Sequence, residues 1–253
     1  MKYYEILFSP TGGTKKVADI LMNTLCDASI QVDLMDREAD FAAQTFQSQD
    51  VCLAAVPSFG GRVPAVAMER LGNMKGNGAR VVLVAVYGNR AYEDTLLELE
   101  DGLRAAGFRP IAAVAAVAEH SIMRQFAAGR PDQDDRRELE AFGAEIARRI
   151  QNDTAPEHLG LPGNRPYHPF GGVPLTPQGT RSCTGCETCA KLCPVGAIDP
   201  ERPRQTDKAR CISCMACVAA CPEGARKVSS LLVAASAKML KKACADRKAN
   251  ELF

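Results

Sequence analysis

The 253-residue chain reads as an α/β protein in two parts, a doubly wound parallel sheet followed by a small α+β domain. Three observations predict this. Five short apolar runs alternate with helical periodicity over residues 1–152, as strands covered by helices on both faces require. A turn rich in glycine and hydroxyl side chains joins the first run to the first helix. Eight of the eleven cysteines fall between residues 183 and 221, in two copies of one spacing.

Residues 3–8 form the first run and end in Ser9-Pro10-Thr11-Gly12-Gly13-Thr14-Lys15, after which Val17, Ile20, Leu21 and Leu25 recur at helical spacing. Such a turn offers backbone N–H groups, hydroxyls and the positive end of a helix dipole to an anion, with phosphate the natural guest. The Gly-Lys-Ser/Thr ending of a Walker loop is missing, and so is a G-x-G-x-x-G dinucleotide turn. A plainer reading makes Thr11 or Thr14 an ordinary helix N-cap. Further strands are expected over 30–35, 51–56, 81–87 and 111–118, with helices near 63–74, 91–106 and 133–151. In a doubly wound sheet, ligands bind beyond the carboxyl ends of the strands at the switch point. That places interest on the loops after the third and fourth strands, which combine glycines with aromatic rings: Phe59, Gly60 and Gly61 in one, Tyr87, Gly88, Asn89 and Tyr92 in the other.

The turn fits Ser/Thr-x-Thr-Gly-x-Thr, and here the sequence resembles the flavodoxin family, whose first strand-to-helix turn holds the phosphate of FMN. The resemblance implies a five-stranded parallel sheet in the order 2-1-3-4-5, with Ser9, Thr11, Gly12, Gly13 and Thr14 around the phosphate. It also implies Phe59, Tyr87 and Tyr92 against the flavin ring, and backbone around Gly60, Gly61, Gly88 and Asn89 at its polar edge. Each aromatic has a plainer reading as a partly buried loop anchor. Many flavodoxins stack a Trp on the ring, and this chain has none. His120, just past the fifth strand, is a candidate for the rim or an ordinary hydrogen-bonded histidine.

Residues 1–152 thus make the first domain. Over 153–177 the periodicity stops; Pro156, Pro162, Pro166, Pro169, Pro174 and Pro177 make a stiff linker, with Tyr167, Phe170 and Val173 spaced to pin it to a surface. Residues 178–227 hold the cysteine copies. Residues 228–253 read as a C-terminal amphipathic helix, with Lys238, Lys241, Lys242, Arg247 and Lys248 filling much of its polar face. That helix closes over a domain, or offers a basic face to an acidic redox partner or a membrane surface.

The runs Cys183-x2-Cys186-x2-Cys189-x3-Cys193-Pro194 and Cys211-x2-Cys214-x2-Cys217-x3-Cys221-Pro222 carry the spacing of bacterial two-cluster ferredoxins. Three cysteines at steps of three wrap one face of a cubane, and the fourth thiolate comes from the other copy. This assigns Cys183, Cys186, Cys189 and Cys221 to one 4Fe–4S cluster, and Cys211, Cys214, Cys217 and Cys193 to a second. Structural zinc has no use for the third step or the closing Cys-Pro, and disulfides need an oxidising compartment. Cys26, Cys52 and Cys244 lie among apolar neighbours as inert thiols.

The formal charge of +1 hides a net −4 over residues 1–152 and +6 over 178–253, complementary for docking of the domains or simply two solvated surfaces. There is no signal-peptide pattern, no apolar run that could span a membrane and no nucleic-acid arm. The expected location is the cytoplasm, where thiols stay reduced. As a whole the chain resembles the flavodoxin–ferredoxin fusion proteins of the EFR-type ferredoxin family. That implies an electron-transfer protein joining two 4Fe–4S clusters to FMN and serving redox partner proteins. A reductase of a small molecule at the flavin, fed through the clusters, is the alternative; a flavin-free docking module is a third. No nicotinamide fingerprint is present, and Tyr92 and His120 are the candidate acid/base groups.

Overall fold

The computed structural model describes every residue except Ala155 and Glu157. Its first part runs β1 (Tyr3–Leu7), α1 (Gly13–Leu25), β2 (Ile30–Asp33), β3 (Val51–Pro57), α2 (Ala65–Gly72), β4 (Arg80–Tyr87), α3 (Thr95–Ala105), β5 (Arg109–Val117) and α4 (Gln133–Gln151). The strands pair in the order β2-β1-β3-β4-β5, parallel throughout. This is the flavodoxin-like doubly wound sheet that the sequence predicts.

Both faces are covered. On one, Leu71 of α2 and Leu96, Leu99 and Leu103 of α3 pack on Ile6, Ala54 and Leu83; on the other, Val17 and Leu21 of α1 and Leu139 and Ile146 of α4 pack on Leu53, Val84 and Val114. Strands buried from both sides need no polar alternation, so β3 and β4 are nearly continuous apolar runs. The second strand stops two residues short of its expected end because the Asp33 carboxylate accepts the Met35 N–H at 2.8 Å, turning the chain. The third helix starts at Thr95 because residues 88–94 are taken by a loop in which Asn89 and Glu93 both have positive φ. A capping box between Asp132 and Asp135 starts α4.

The second part holds β6 (Gln178–Gly179), α5 (Thr188–Lys191), α6 (Ala216–Ala219), β7 (Arg226–Lys227) and α7 (Ser230–Leu240). β6 and β7 pair antiparallel, closing the two cysteine copies into one unit.

The C-terminal helix is shorter than the pattern suggests. α7 ends at Leu240, and residues 241–253 return to the first domain, where β8 (Glu251–Leu252) adds a sixth, antiparallel strand beside β5. Side-chain amides pull the chain out of helix: Asn89 Nδ2 donates to the carbonyls of Cys244 and Asp246 at 3.0 and 2.9 Å. Asn250 Oδ1 accepts the buried Val117 N–H at 2.8 Å, and its Nδ2 donates to Asp135 and Glu138. The cysteine domain is therefore tied to the sheet on both sides, by the linker before it and the tail after it. Among the described residues no helix is long and apolar enough to cross a membrane.

Candidate cofactor site

The turn from β1 into α1 holds Gly12 at φ 85°, a left-handed conformation that costs another residue about 1–2 kcal/mol. Ser9 Oγ accepts the Lys15 N–H at 2.9 Å, so the Gly13 and Thr14 N–H groups head the helix without helical acceptors. Thr11, Gly13 and buried Thr14 line a cavity of about 540 Å3 at the carboxyl ends of β1, β3, β4 and β5. That size is ordinary for a cofactor or small-molecule site. Ser9 and Gly12 shape the turn rather than line the space.

Phe59, Gly60, Tyr87 and Gly88 also line it. Phe59 and Arg62 exchange backbone hydrogen bonds at 2.9 and 3.2 Å, a tight turn that puts Gly60 and Gly61 at φ 58° and 81°. At Gly88 a Cβ would come within 2.8 Å of the His120 ring, so glycine lets the end of β4 pass. Asn89, Tyr92 and Gly61 are placed behind the wall. The Asn89 side chain holds the tail, and its Oδ1 accepts the Lys248 N–H at 3.2 Å. The Tyr92 hydroxyl donates to Glu251 at 3.0 Å while its ring packs 5.2 Å from that of Tyr87. Burial pushes Tyr87 up to about 12, and burial with nearby Glu251 raises Tyr92 further, so both phenols stay protonated. His120 is in the wall; its Nδ1 accepts the Ile122 and Met123 N–H groups at 3.1 and 3.2 Å, and burial lowers its pKa, leaving a neutral ring.

Much of the remaining wall comes from residues that motif reading passes over. His168, Phe170, Val173, Pro174 and Leu175 of the linker line the cavity, so this segment is a wall as well as a connector. His168 Nδ1 meets Asp94 Oδ2 at 2.7 Å and Nε2 meets the Gly60 carbonyl at 2.7 Å. Asp94 also accepts the N–H groups of His168 and Asn164 at 2.7 and 2.8 Å. Burial pushes the Asp94 carboxyl up, but these hydrogen bonds outweigh it and hold it at about 2; hydrogen bonds to Asp94 and Gly60 raise His168. The spacing of Tyr167, Phe170 and Val173 is the visible signal; nothing marks His168.

The wall is completed by Ser236, Met239 and Leu240 of α7 and by Ile212, Ser213 and Cys214. One cavity therefore reaches from the β1–α1 turn to a cysteine of the second copy.

The cysteines fall into two groups, each mixing the copies. Cys183, Cys186, Cys189 and Cys221 line one small pocket together with Pro203, Ala225 and Arg226. Cys214 is raised to about 12 by burial, and the sulfurs of Cys217, Cys193 and Cys211 lie close enough to add to the shift. Backbone N–H groups already point at sulfur: Ala197 to Cys193 and Ala225 to Cys221, both at 3.2 Å, and Ser213 to Cys211 at 3.4 Å. Among the described residues no three Cys, His, Asp or Glu converge tightly enough for a single metal ion. A cubane takes one thiolate on each of its four irons, and each group offers four cysteines drawn from both copies, so the donor set fits the cluster chemistry. Outside these groups, Cys52 and Cys244 are buried and Cys26 half-buried, and burial raises all three thiols.

Residues 182–226 match the family of 4Fe–4S dicluster domains. Among solved structures the chain is similar to a flavodoxin from the domain Archaea, at 14% identity over 60% of this chain and 99% of that one, with a TM-score of 0.41. It is similar to oxidised flavodoxin 2 from Bacillus cereus at 16% identity, covering 59% and 99%, TM-score 0.42. A third is an NADH:FMN oxidoreductase in its apo form, at 13% identity, covering 62% and 91%, TM-score 0.42. No curated protein matches the chain. The class is a two-part redox protein, a flavodoxin-like sheet joined to a 4Fe–4S dicluster domain. The dicluster domain supports a redox role, electron transfer included.

Proposed function

We propose that the protein holds two 4Fe–4S clusters and one FMN and relays electrons between redox partner proteins. The observation that carries this is Cys214 in the wall of the cavity that begins at Thr11, Gly13 and Thr14. Cys183, Cys186, Cys189 and Cys221 would hold one cluster, and Cys211, Cys214, Cys217 and Cys193 the other. The α1 turn would take the FMN phosphate, with Phe59, Gly60, Tyr87 and Gly88 at the ring and Phe170 among the walls. FMN supplies one- and two-electron chemistry beside clusters that exchange one electron at a time. The chain's own residues set the terms: apolar walls exclude water, N–H groups aimed at sulfur tune potential, and a neutral His120 adds no charge to the cavity. Cys186 is exposed, which makes its face the side open to a one-electron protein partner. A soluble setting in the cytoplasm suits this chemistry.

Protein purified without oxygen should contain one flavin and about eight irons per chain. Thr14→Ala should weaken FMN binding by at least about tenfold, as loss of one hydrogen bond to a charged group implies, with iron unchanged. Unchanged flavin affinity would remove the phosphate assignment. A reductase would instead reoxidise the chemically reduced protein with a small molecule and no partner present.

A further inference from the structure

The two cysteine copies align from 183–198 onto 211–226, and their last positions differ in kind: Ile198 closes the first and Arg226 the second. Both are buried, at 3% and 2% exposure. A buried guanidinium is costly by several kcal/mol unless its charge is met. Every hydrogen-bond partner of Arg226 is neutral. Nη1 donates to the Pro203 carbonyl at 2.5 Å, and Nη2 to the Pro177 carbonyl at 3.0 Å and to the Thr206 hydroxyl. Among the described residues no carboxylate pairs with it, and Nε has no acceptor.

The pocket it lines is otherwise rich in sulfur. Arg226 shares it with Cys183, Cys186, Cys189 and Cys221. β7, which carries Arg226, packs against α6, which carries Cys217, and the guanidinium charge acts on both Cys189 and Cys217, the third cysteine of each copy. A buried cation with an orphan N–H between two thiolate sets lacks only the negative charge those sets would carry.

We propose that Arg226 is a counter-charge shared by both clusters, donating Nε–H toward cluster sulfur and raising both reduction potentials. The inference rests on the two-cluster reading. A cluster with four thiolates is an anion that gains one negative charge per electron accepted, so a fixed cation in low dielectric favours the reduced form. The electron comes from an external one-electron reductant, which is oxidised; Arg226 stays protonated throughout and no proton moves. Ile198 brings no charge at the matching place, so one guanidinium serves both sets.

The test compares wild type with Arg226→Lys, Arg226→Gln and Arg226→Ile, all purified without oxygen. Iron and sulfide are counted first, and EPR-monitored titrations with titanium(III) citrate follow. Arg226→Lys should keep both potentials near wild type. With about eight irons retained, Arg226→Gln and Arg226→Ile should lower the reduced-to-oxidised ratio at least about tenfold at a fixed solution potential, 59 mV for one electron. Unchanged potentials in iron-complete neutral variants would overturn the inference. If those variants cannot hold iron, reduced wild type labelled with 15N-arginine decides: pulsed EPR should detect 15N coupling to a cluster, and a spectrum matching unlabelled protein would overturn it. Wild-type iron well short of about eight would bring down the two-cluster reading and this inference with it.

Discussion

The two cysteine copies share a backbone and differ in what surrounds them. Glu187 and Met215 occupy left-handed positions at φ 62° and 66°, Gly196 and Gly224 at 57° and 56°, and each copy has a four-residue helix. Each aims one N–H at its last cysteine sulfur, at the same distance. Yet Cys186 is exposed while Cys214 lines the cavity at the carboxyl ends of the strands. Where the first copy has Gly185, the second has Ser213, whose hydroxyl donates to the linker carbonyl of Val173 at 3.1 Å. Local sequence sets the cysteine loop, and the neighbours decide whether that loop is open to solvent or walls a cavity.

Removing single ligands breaks the comparison most strongly. Cys193 belongs to the first copy by sequence but lies with Cys214; Cys221 belongs to the second but lies with Cys183, Cys186 and Cys189. Cys193→Ala should therefore cost the cluster facing the cavity and slow flavin reduction through the chain by at least about a hundredfold, roughly 2.7 kcal/mol of barrier. Cys221→Ala should spare the inner cluster and lose the outer one. Iron analysis and EPR distinguish the two; loss of each residue's own-copy cluster would undo the crossed assignment.

A smaller effect is expected at the tail that anchors the second domain. Asn250→Ala orphans the buried Val117 N–H and strips donors from Asp135 and Glu138. An unsatisfied buried group costs about 1–3 kcal/mol. At roughly 2–4 °C per kcal/mol for a chain of this size, thermal unfolding should move down by several degrees. An unmoved midpoint would mean that the tail adds no stability and the linker alone holds the domains together.

The sheet was legible because strands buried from both sides are written as unbroken apolar runs, and the turn between β1 and α1 because its paired glycines mark a position such as Gly12, which is left-handed. The cysteine loops were legible from spacing alone. The tail was not: β8 has two residues, Glu251 and Leu252, and its pairing is imposed by Asn89 and Asn250 from distant parts of the chain. Tyr92 and Asn89 carry the right chemistry for a flavin edge, but burial behind the wall gives them other partners. His168 and Phe170 sit in a proline-rich stretch whose composition speaks of stiffness, not of a cavity. Arg226, beside Lys227, reads as a surface cation; only its misalignment with Ile198 betrays it.

The subtlest difference between the copies is the strap that Ser213 contacts, and its hold depends on pH. His168 is raised above its ordinary value of about 6.5, so its contribution is complete below that and is lost as pH rises through the raised value. Asp94 is depressed to about 2, so its contribution is present above its ordinary value near 4 and is lost as pH falls through about 2. The strap is thus firmest between about pH 4 and 6.5 and loosens first on the alkaline side. The imidazole is about one-third exposed, and solvent screening keeps the change small. Between pH 6 and 8.5 the linker around Tyr167 and Phe170 should become more open to limited proteolysis in the wild type. His168→Asn should be open at both pH values and show no such change. If wild type and variant respond alike, the titrating group lies elsewhere, and the inner copy's contact with the linker is independent of His168.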